Sequence, residues 1–343
     1  MNSNTPLFER MLADYAAVDP RWQADAYWQE ILGPVCESFK NPADLSKFRS
    51  SPLRTGIRSI LPSNPGYRRR LAGRGLKAKE LFSMVPGFNK IINYYEETIK
   101  IIIGENDDMM KRWLTCSYLL LERAAGAGKT LPDKMVGKPD DYVTIEGKNY
   151  SFYSLGYQYL YWRAQELIGW QNVKTVLELG SGYGGQAEVV ALNSPHVKYV
   201  CVDIPHWLYV NEMYLSTLFP GQVMGYEETS KIDGPIDIVK EMGSRKFALI
   251  PAWKFHHVDS KFDLFWNSKS LQEMDEATII SYGSMIKKMV DKTFLHAYHE
   301  PKPPAFDHEA LRKLFVADMG YTLKVTEKDH YAGKNSVNMV FTR

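Results

Sequence analysis

Two carboxylates and a run of glycines are the residues of this chain whose types and spacing most clearly do chemistry. Glu178 stands in an apolar run, Val176 to Leu179, that leads straight into Gly180-Ser181-Gly182-Tyr183-Gly184-Gly185. Residues without a Cβ let a chain turn tightly at positive φ and bring its backbone close to a ligand. Gln186 to Leu192 reads as a helix whose first N–H groups face that turn, a setting that favours a polar or negative group. A second apolar run, Val197 to Val202, ends on Asp203. This acid follows Gly180 at about the 20-residue spacing at which a dinucleotide fold places the carboxylate that accepts ribose hydroxyls. Strand, glycine turn, helix, strand and acid together point to a cofactor of nucleotide type.

Gly180-x-Gly182-x-x-Gly185 also matches the nicotinamide dinucleotide pattern, so an NAD-dependent oxidoreductase is a competing reading from another class. Glu178 separates the two, because a carboxylate two residues before the first glycine repels a pyrophosphate and suits a ligand with an ammonium and a sulfonium. With that residue in view, Glu178 to Gly185 followed by Cys201 to Trp207 resembles motif I and the acidic post-I loop of class I S-adenosylmethionine (SAM) methyltransferases. A narrower likeness rests on Tyr199 to Leu208, Tyr214-Leu215, Ser270 to Met274 and a Tyr-rich helix before motif I. Over about residues 150 to 300, the chain is similar to a bacterial family of sugar O-methyltransferases.

The resemblance implies a Rossmann-like α/β fold with a seven-stranded sheet, and the remaining chain supplies elements in a fitting order. Phe247 to Trp253 reads as the third strand, Phe262 to Asn267 as the fourth and Thr293 to Tyr298 as the fifth. Between the last two, Met274, Ile279, Ile280, Met285, Ile286 and Met289 recur at helical spacing and make one apolar face. Alternating strands and helices imply right-handed crossovers and a mostly parallel sheet. Tyr321 to Glu327 alternates with period two, Asp329 to Asn335 is rich in turn formers, and Ser336 to Thr342 is strand-like again. That hairpin resembles the sixth and seventh strands that close a methyltransferase sheet.

Site residues follow from the resemblance. Gly180, Ser181 and Gly182 lie beneath the methionine part of SAM, with Glu178 near its amino group. Asp203 takes the ribose hydroxyls and Ile204 flanks the adenine. Many relatives carry an acid after the third strand; here Pro251-Ala252-Trp253 leaves the backbone of Ala252 and the ring of Trp253 for the adenine. Asn267 and Ser268 end the fourth strand beside the methionine, and Tyr157 and Arg163 on the preceding helix reach for its carboxylate, although packing and solvation are their ordinary roles. Transfer to a hydroxyl needs a positioned base. Glu273 just past the fourth strand is the first candidate, His299 after the fifth the second, and His256 after the third the third. Helix-borne acids such as Asp275 and Glu276 are commonly just solvated, so no metal is assigned. The expected acceptor is a small polar molecule, a sugar or sugar-bearing metabolite hydroxyl, with a small amine as the alternative; S-adenosylhomocysteine is the product.

Composition bounds the rest. A chain of 343 residues suits two units, a helical N-terminal domain over 1–140 and a cofactor domain over 141–343. Phe8 to Tyr15, Trp22 to Phe39, Phe88 to Ile103 and Met109 to Ala125 show helical spacing; these helices are expected to form the acceptor side of the cleft and to offer oligomer contacts. Ala124 to Thr130 superficially suggests a phosphate loop, but Arg123 occupies the required glycine position and no strand precedes it, so a helix C-terminus ended by Gly126 and Gly128 is expected. A net charge of +2 argues against a nucleic-acid partner, and Tyr67 to Arg70 reads as a solvated turn. Three scattered cysteines suggest neither a disulfide framework nor a zinc site. With no leader-like start and no apolar stretch of membrane length, the expectation is a cytoplasmic protein without a membrane partner.

Overall fold

In the computed structural model, residues 5–23, 32–33, 36–37, 39–50, 107–298, 308–328 and 336–343 are described. The expected helix over Phe88 to Ile103, most of that over Trp22 to Phe39, the Tyr67 to Arg70 turn and His299 lie outside the described residues. The first helix, α1, is Thr5–Ala16, and α2 is Asp107–Ala125. A hairpin of β1, Tyr142–Ile145, and β2, Lys148–Ser151, precedes α3, Phe152–Ile168. The central series is β3 Thr175–Leu179, α4 Gly185–Asn193, β4 Lys198–Asp203, α5 Pro205–Leu218, β5 Val223–Met224, β6 Phe247–Pro251 and β7 Leu264–Ser268. It ends with α6 Glu276–Met289, β8 Lys292–Tyr298, α7 His308–Lys313, β9 Thr322–Lys328 and β10 Ser336–Thr342.

One sheet has the order β5-β6-β4-β3-β7-β8-β10-β9. Strands β3 to β8 run parallel, whereas β10 lies antiparallel between β8 and β9. The expected parallel sheet with a closing antiparallel hairpin is therefore present. Among the described residues it has eight strands rather than seven, because Val223 and Met224 add a two-residue edge strand beside β6. So short a pairing has no periodicity to read in sequence.

Both faces of the sheet are covered, as a parallel sheet requires. On one face Leu177, Leu179, Val202, Phe265 and Leu295 bury against Ile279, Tyr282 and Ile286 of α6, so the apolar stripe read from the sequence is the packed one except at Ile280, which is exposed. On the other, Tyr161, Trp170, Trp266 and Phe294 form a stack with centroids 5.1, 5.9 and 4.3 Å apart. Each such ring removes enough apolar surface from water to contribute about 2–3 kcal/mol.

The chain groups into two compact units, residues 1–46 with 156–343 and residues 47–155. In the first, α1 lies on α5: Phe8 stacks on Tyr209 at 4.6 Å and the Tyr226 hydroxyl donates to Asp14 at 2.6 Å. In the second, Arg49 and Asp133 form a buried ion pair that also engages Ser151. There α2 ends at Ala125 and Gly126 turns at φ +98. The N–H groups of Gly128 and Thr130 donate to the Glu122 carboxylate at 2.6 and 2.9 Å, which places an anion of the chain's own in the loop that superficially suggested a phosphate site. Among the described residues, no helix is long and apolar enough to cross a membrane.

Candidate cofactor and transfer site

The glycine turn after β3 is shaped by its neighbours as much as by any ligand. Gly180 sits at φ +73, and a Cβ there would collide with the Ser270 side chain. Ser270 and Asn267 both donate to the Leu179 carbonyl, at 2.8 and 2.7 Å, which ties the turn after β7 to the turn after β3. Gly184, at φ +88, leaves room for Asn211, which in turn donates to Ser181 Oγ at 3.0 Å. Gly185 lies under the ring of Tyr157. Gly182 differs, because a Cβ built there meets nothing within 4 Å. Of the four, Gly182 is the glycine that opens onto space a ligand can fill.

Two buried acids lie near the ends of the adjacent strands β3 and β4. Glu178, at 2% exposure, accepts from the Tyr199 hydroxyl at 3.0 Å. Burial pushes its carboxyl up to about 8; the Tyr199 hydrogen bond opposes the shift and the nearby Asp203 charge adds to it. Asp203, at 7% exposure, accepts from the N–H groups of Gly182 and Ile204 at 2.7 and 2.8 Å. Burial raises it to about 7; those two hydrogen bonds pull it down, and Glu273 pushes it up. A buried acid that is costly to ionise becomes an anion readily only when a cation or a set of donors arrives. The pair is thus built to receive positive charge and hydroxyls.

The other expected residues divide by position. Ile204 caps α5 in extended conformation directly after Asp203. Ala252 and Trp253 open the 3-10 turn that follows β6, both buried, with the Trp253 ring 5.6 Å from Tyr15 of α1 and 6.3 Å from Tyr226. Asn267 is buried and serves as the latch just described, and Ser268 is half-buried at the end of β7. Tyr157 packs between Gly185 and Tyr183. Glu273 is half-buried in a 3-10 turn, close enough to Asp203 to raise it.

Two expectations meet a different geometry. Arg163 does not extend to the glycine turn: its guanidinium grips Glu327 through both carboxylate oxygens, at 3.0 and 2.5 Å, on β9 at the far edge of the sheet. His256 is exposed and stacked on Trp22 at 5.7 Å. Asp275 is engaged as the N-cap of α6, accepting from the Thr278 N–H. Tyr199, Ser270 and Asn211 were not foreseen. Strand alternation carried a signal for Tyr199, since it shares with Cys201 the face on which Glu178 lies.

No protein family and no curated protein matches the chain. Among solved structures, the pyocyanin biosynthetic protein PhzM is 13% identical, with 85% of this chain and 76% of that one covered at a TM-score of 0.40. Magnesium protoporphyrin IX methyltransferase from Synechocystis PCC 6803, with bound SAM, is 13% identical, with 69% and 96% covered at 0.39. The methyltransferase domain of bacterial CtHen1 is 13% identical, with 56% and 100% covered at 0.39. At these values the fold assignment rests on the strand order itself.

Proposed function

We propose that this protein is a SAM-dependent methyltransferase acting on a hydroxyl of a small polar acceptor, a sugar or sugar-bearing metabolite. The observation that carries the reading is the pair of buried acids, Glu178 near the end of β3 and Asp203 at the end of the adjacent β4, with Asp203 accepting from the Gly182 N–H. Glu178 suits the ammonium of a methionine moiety, and Asp203, already oriented by two N–H groups, suits vicinal ribose hydroxyls. A pyrophosphate in the same place would meet both carboxylates and be repelled. When bound, SAM supplies a methyl group on a sulfonium that leaves readily. The chain's own part is to orient donor and acceptor in line and to take up the hydroxyl proton.

Calorimetry with SAM tests the reading. Wild type binds, and Asp203→Ala loses about 1.5–3 kcal/mol, roughly 10- to 150-fold in affinity, for the charge-assisted bonds removed. Equal affinity of the variant counts against it, as does quenching of NADH fluorescence by the wild type.

A further inference from the structure

Helix α6 carries a second stripe besides the one it buries on the sheet. Ile280, Ser284, Lys287 and Lys288 are exposed and recur at the spacing that keeps side chains on one helix face. Ile279, Tyr282 and Ile286 point the other way, into the core. Ile280 is therefore an apolar residue left 49% exposed on the outer side of an otherwise well-packed helix.

Facing that stripe is a π-helical turn, Leu314–Asp318, whose wide bonding is seen where the Met319 N–H donates to the Leu314 carbonyl at 3.0 Å. Such turns are rare and recur at functional sites. Leu314 and Met319 are buried at this wall. Gly283 lets the wall approach α6, since a Cβ there would lie 3.1 Å from the Met319 sulfur. Between the two walls runs a groove of about 470 Å³, with Ile280, Gly283, Leu314 and Met319 as its apolar lining. That volume falls within the about 300–1,000 Å³ of small-molecule sites.

The charged part of the lining is mostly cationic: Lys287, Lys288 and Arg343 stand against one carboxylate side chain, that of Asp318. Arg343 is already committed. Its guanidinium donates to the Lys287 carbonyl at 2.6 Å and to Asp291 at 2.9 Å, and it lies over the Tyr321 ring. Lys287 engages one of its three ammonium donors with the Asp318 carbonyl, at 3.4 Å. The Lys288 ammonium has no hydrogen-bond or ion-pair partner among the described residues. Two adjacent lysines thus hold unused donors and positive charge beside an apolar floor.

We propose that this groove binds a small amphipathic anion, with its apolar body on Ile280, Leu314 and Met319 and its carboxylate, sulfonate or phosphate head on Lys287 and Lys288. Charge selects this occupant. A cationic ligand meets two ammonium groups, and a neutral one leaves them unanswered. A second copy of the chain is disfavoured as well, because a two-fold contact sets the same patch on both partners and brings lysine pair against lysine pair. The proposal does not depend on the donor reading, since neither Glu178 nor Asp203 lines the groove.

Methyl NMR of protein labelled at isoleucine, leucine and methionine, titrated with naphthalene-2-sulfonate, tests it. The expected result is saturable shifts of the Ile280, Leu314 and Met319 methyls, with much weaker binding of naphthalene-2-methanol, which keeps the ring system and lacks the charge. Lys288→Gln should weaken the sulfonate about 2- to 5-fold and Lys287→Gln/Lys288→Gln about tenfold, as exposed charge pairs allow, with added salt weakening it further. Both lysines are exposed, so the unperturbed methyl spectrum of each variant verifies its fold. Absence of saturable shifts at those methyls overturns the proposal, as does affinity that the neutral compound matches or the double variant retains. A concentration-dependent dimer that Ile280→Asp dissolves in sedimentation would show the groove to be an interface between copies and overturn it too.

Discussion

Glu178 and Asp203 occupy positions that cost the unliganded protein stability, and the cost has a definite pH dependence. Between its unfolded pKa and its raised folded pKa, a carboxyl binds more protons folded than unfolded, so stability falls as pH rises across that window. For Glu178 the window runs from its ordinary range near 4.3 up to about 8, and for Asp203 from near 3.9 up to about 7. The unliganded protein should therefore show a Tm that declines from about pH 5 to about pH 8. Glu178→Gln should flatten the decline, since its amide carries no charge to desolvate. Scanning calorimetry across that range checks both, and a wild-type Tm rising over the interval would show that the acids are not buried as described.

At the scale of elements, the two loops at the carboxyl edge act as one part. Ser270 fills the place of a Cβ on Gly180 and hydrogen-bonds the end of β3, so Gly180→Ala meets both a steric conflict and an unfavourable positive φ. It should destabilise by about 1–3 kcal/mol in urea unfolding. Adding Ser270→Gly should recover the steric share and leave the backbone share. Full recovery would mean that φ plays no part, and none would mean that Ser270 is not the obstacle. These elements were largely readable in sequence, because continuous apolar runs ending in glycine or aspartate are what buried parallel strands look like. The hairpin Tyr142 to Ser151 was missed: its strands are four residues each, and only Glu146 and Gly147, both at positive φ, signal the turn. A polar row across β7, β8, β10 and β9 was missed for another reason. Ser268, His296, Asn338 and Glu327 lie on four separate strands, and only sheet register brings them together.

Across the whole molecule, chain adjacency proved a poor guide to α1. Sequence placed it with the N-terminal helices, whereas it packs on α5 in the unit that holds the glycine turn. Its Tyr15 reaches both Trp253 and His206, so a helix from the start of the chain borders the turn after β6 and the start of α5. Phe8 is fully buried between Tyr209 and Phe39. Phe8→Ala should cost about 3–5 kcal/mol of stability, read as a lower urea midpoint. A change within experimental error would show that α1 is not docked there in solution.

The central claim is that two buried acids receive a cationic adenosyl donor. Titrating SAM into the protein at about pH 6, in buffers of different ionisation enthalpy, measures it directly, because carboxyls raised by burial must give up protons when that donor arrives. The account predicts binding with net proton release, reduced in Glu178→Gln. Binding without proton exchange, or none at all, would contradict it.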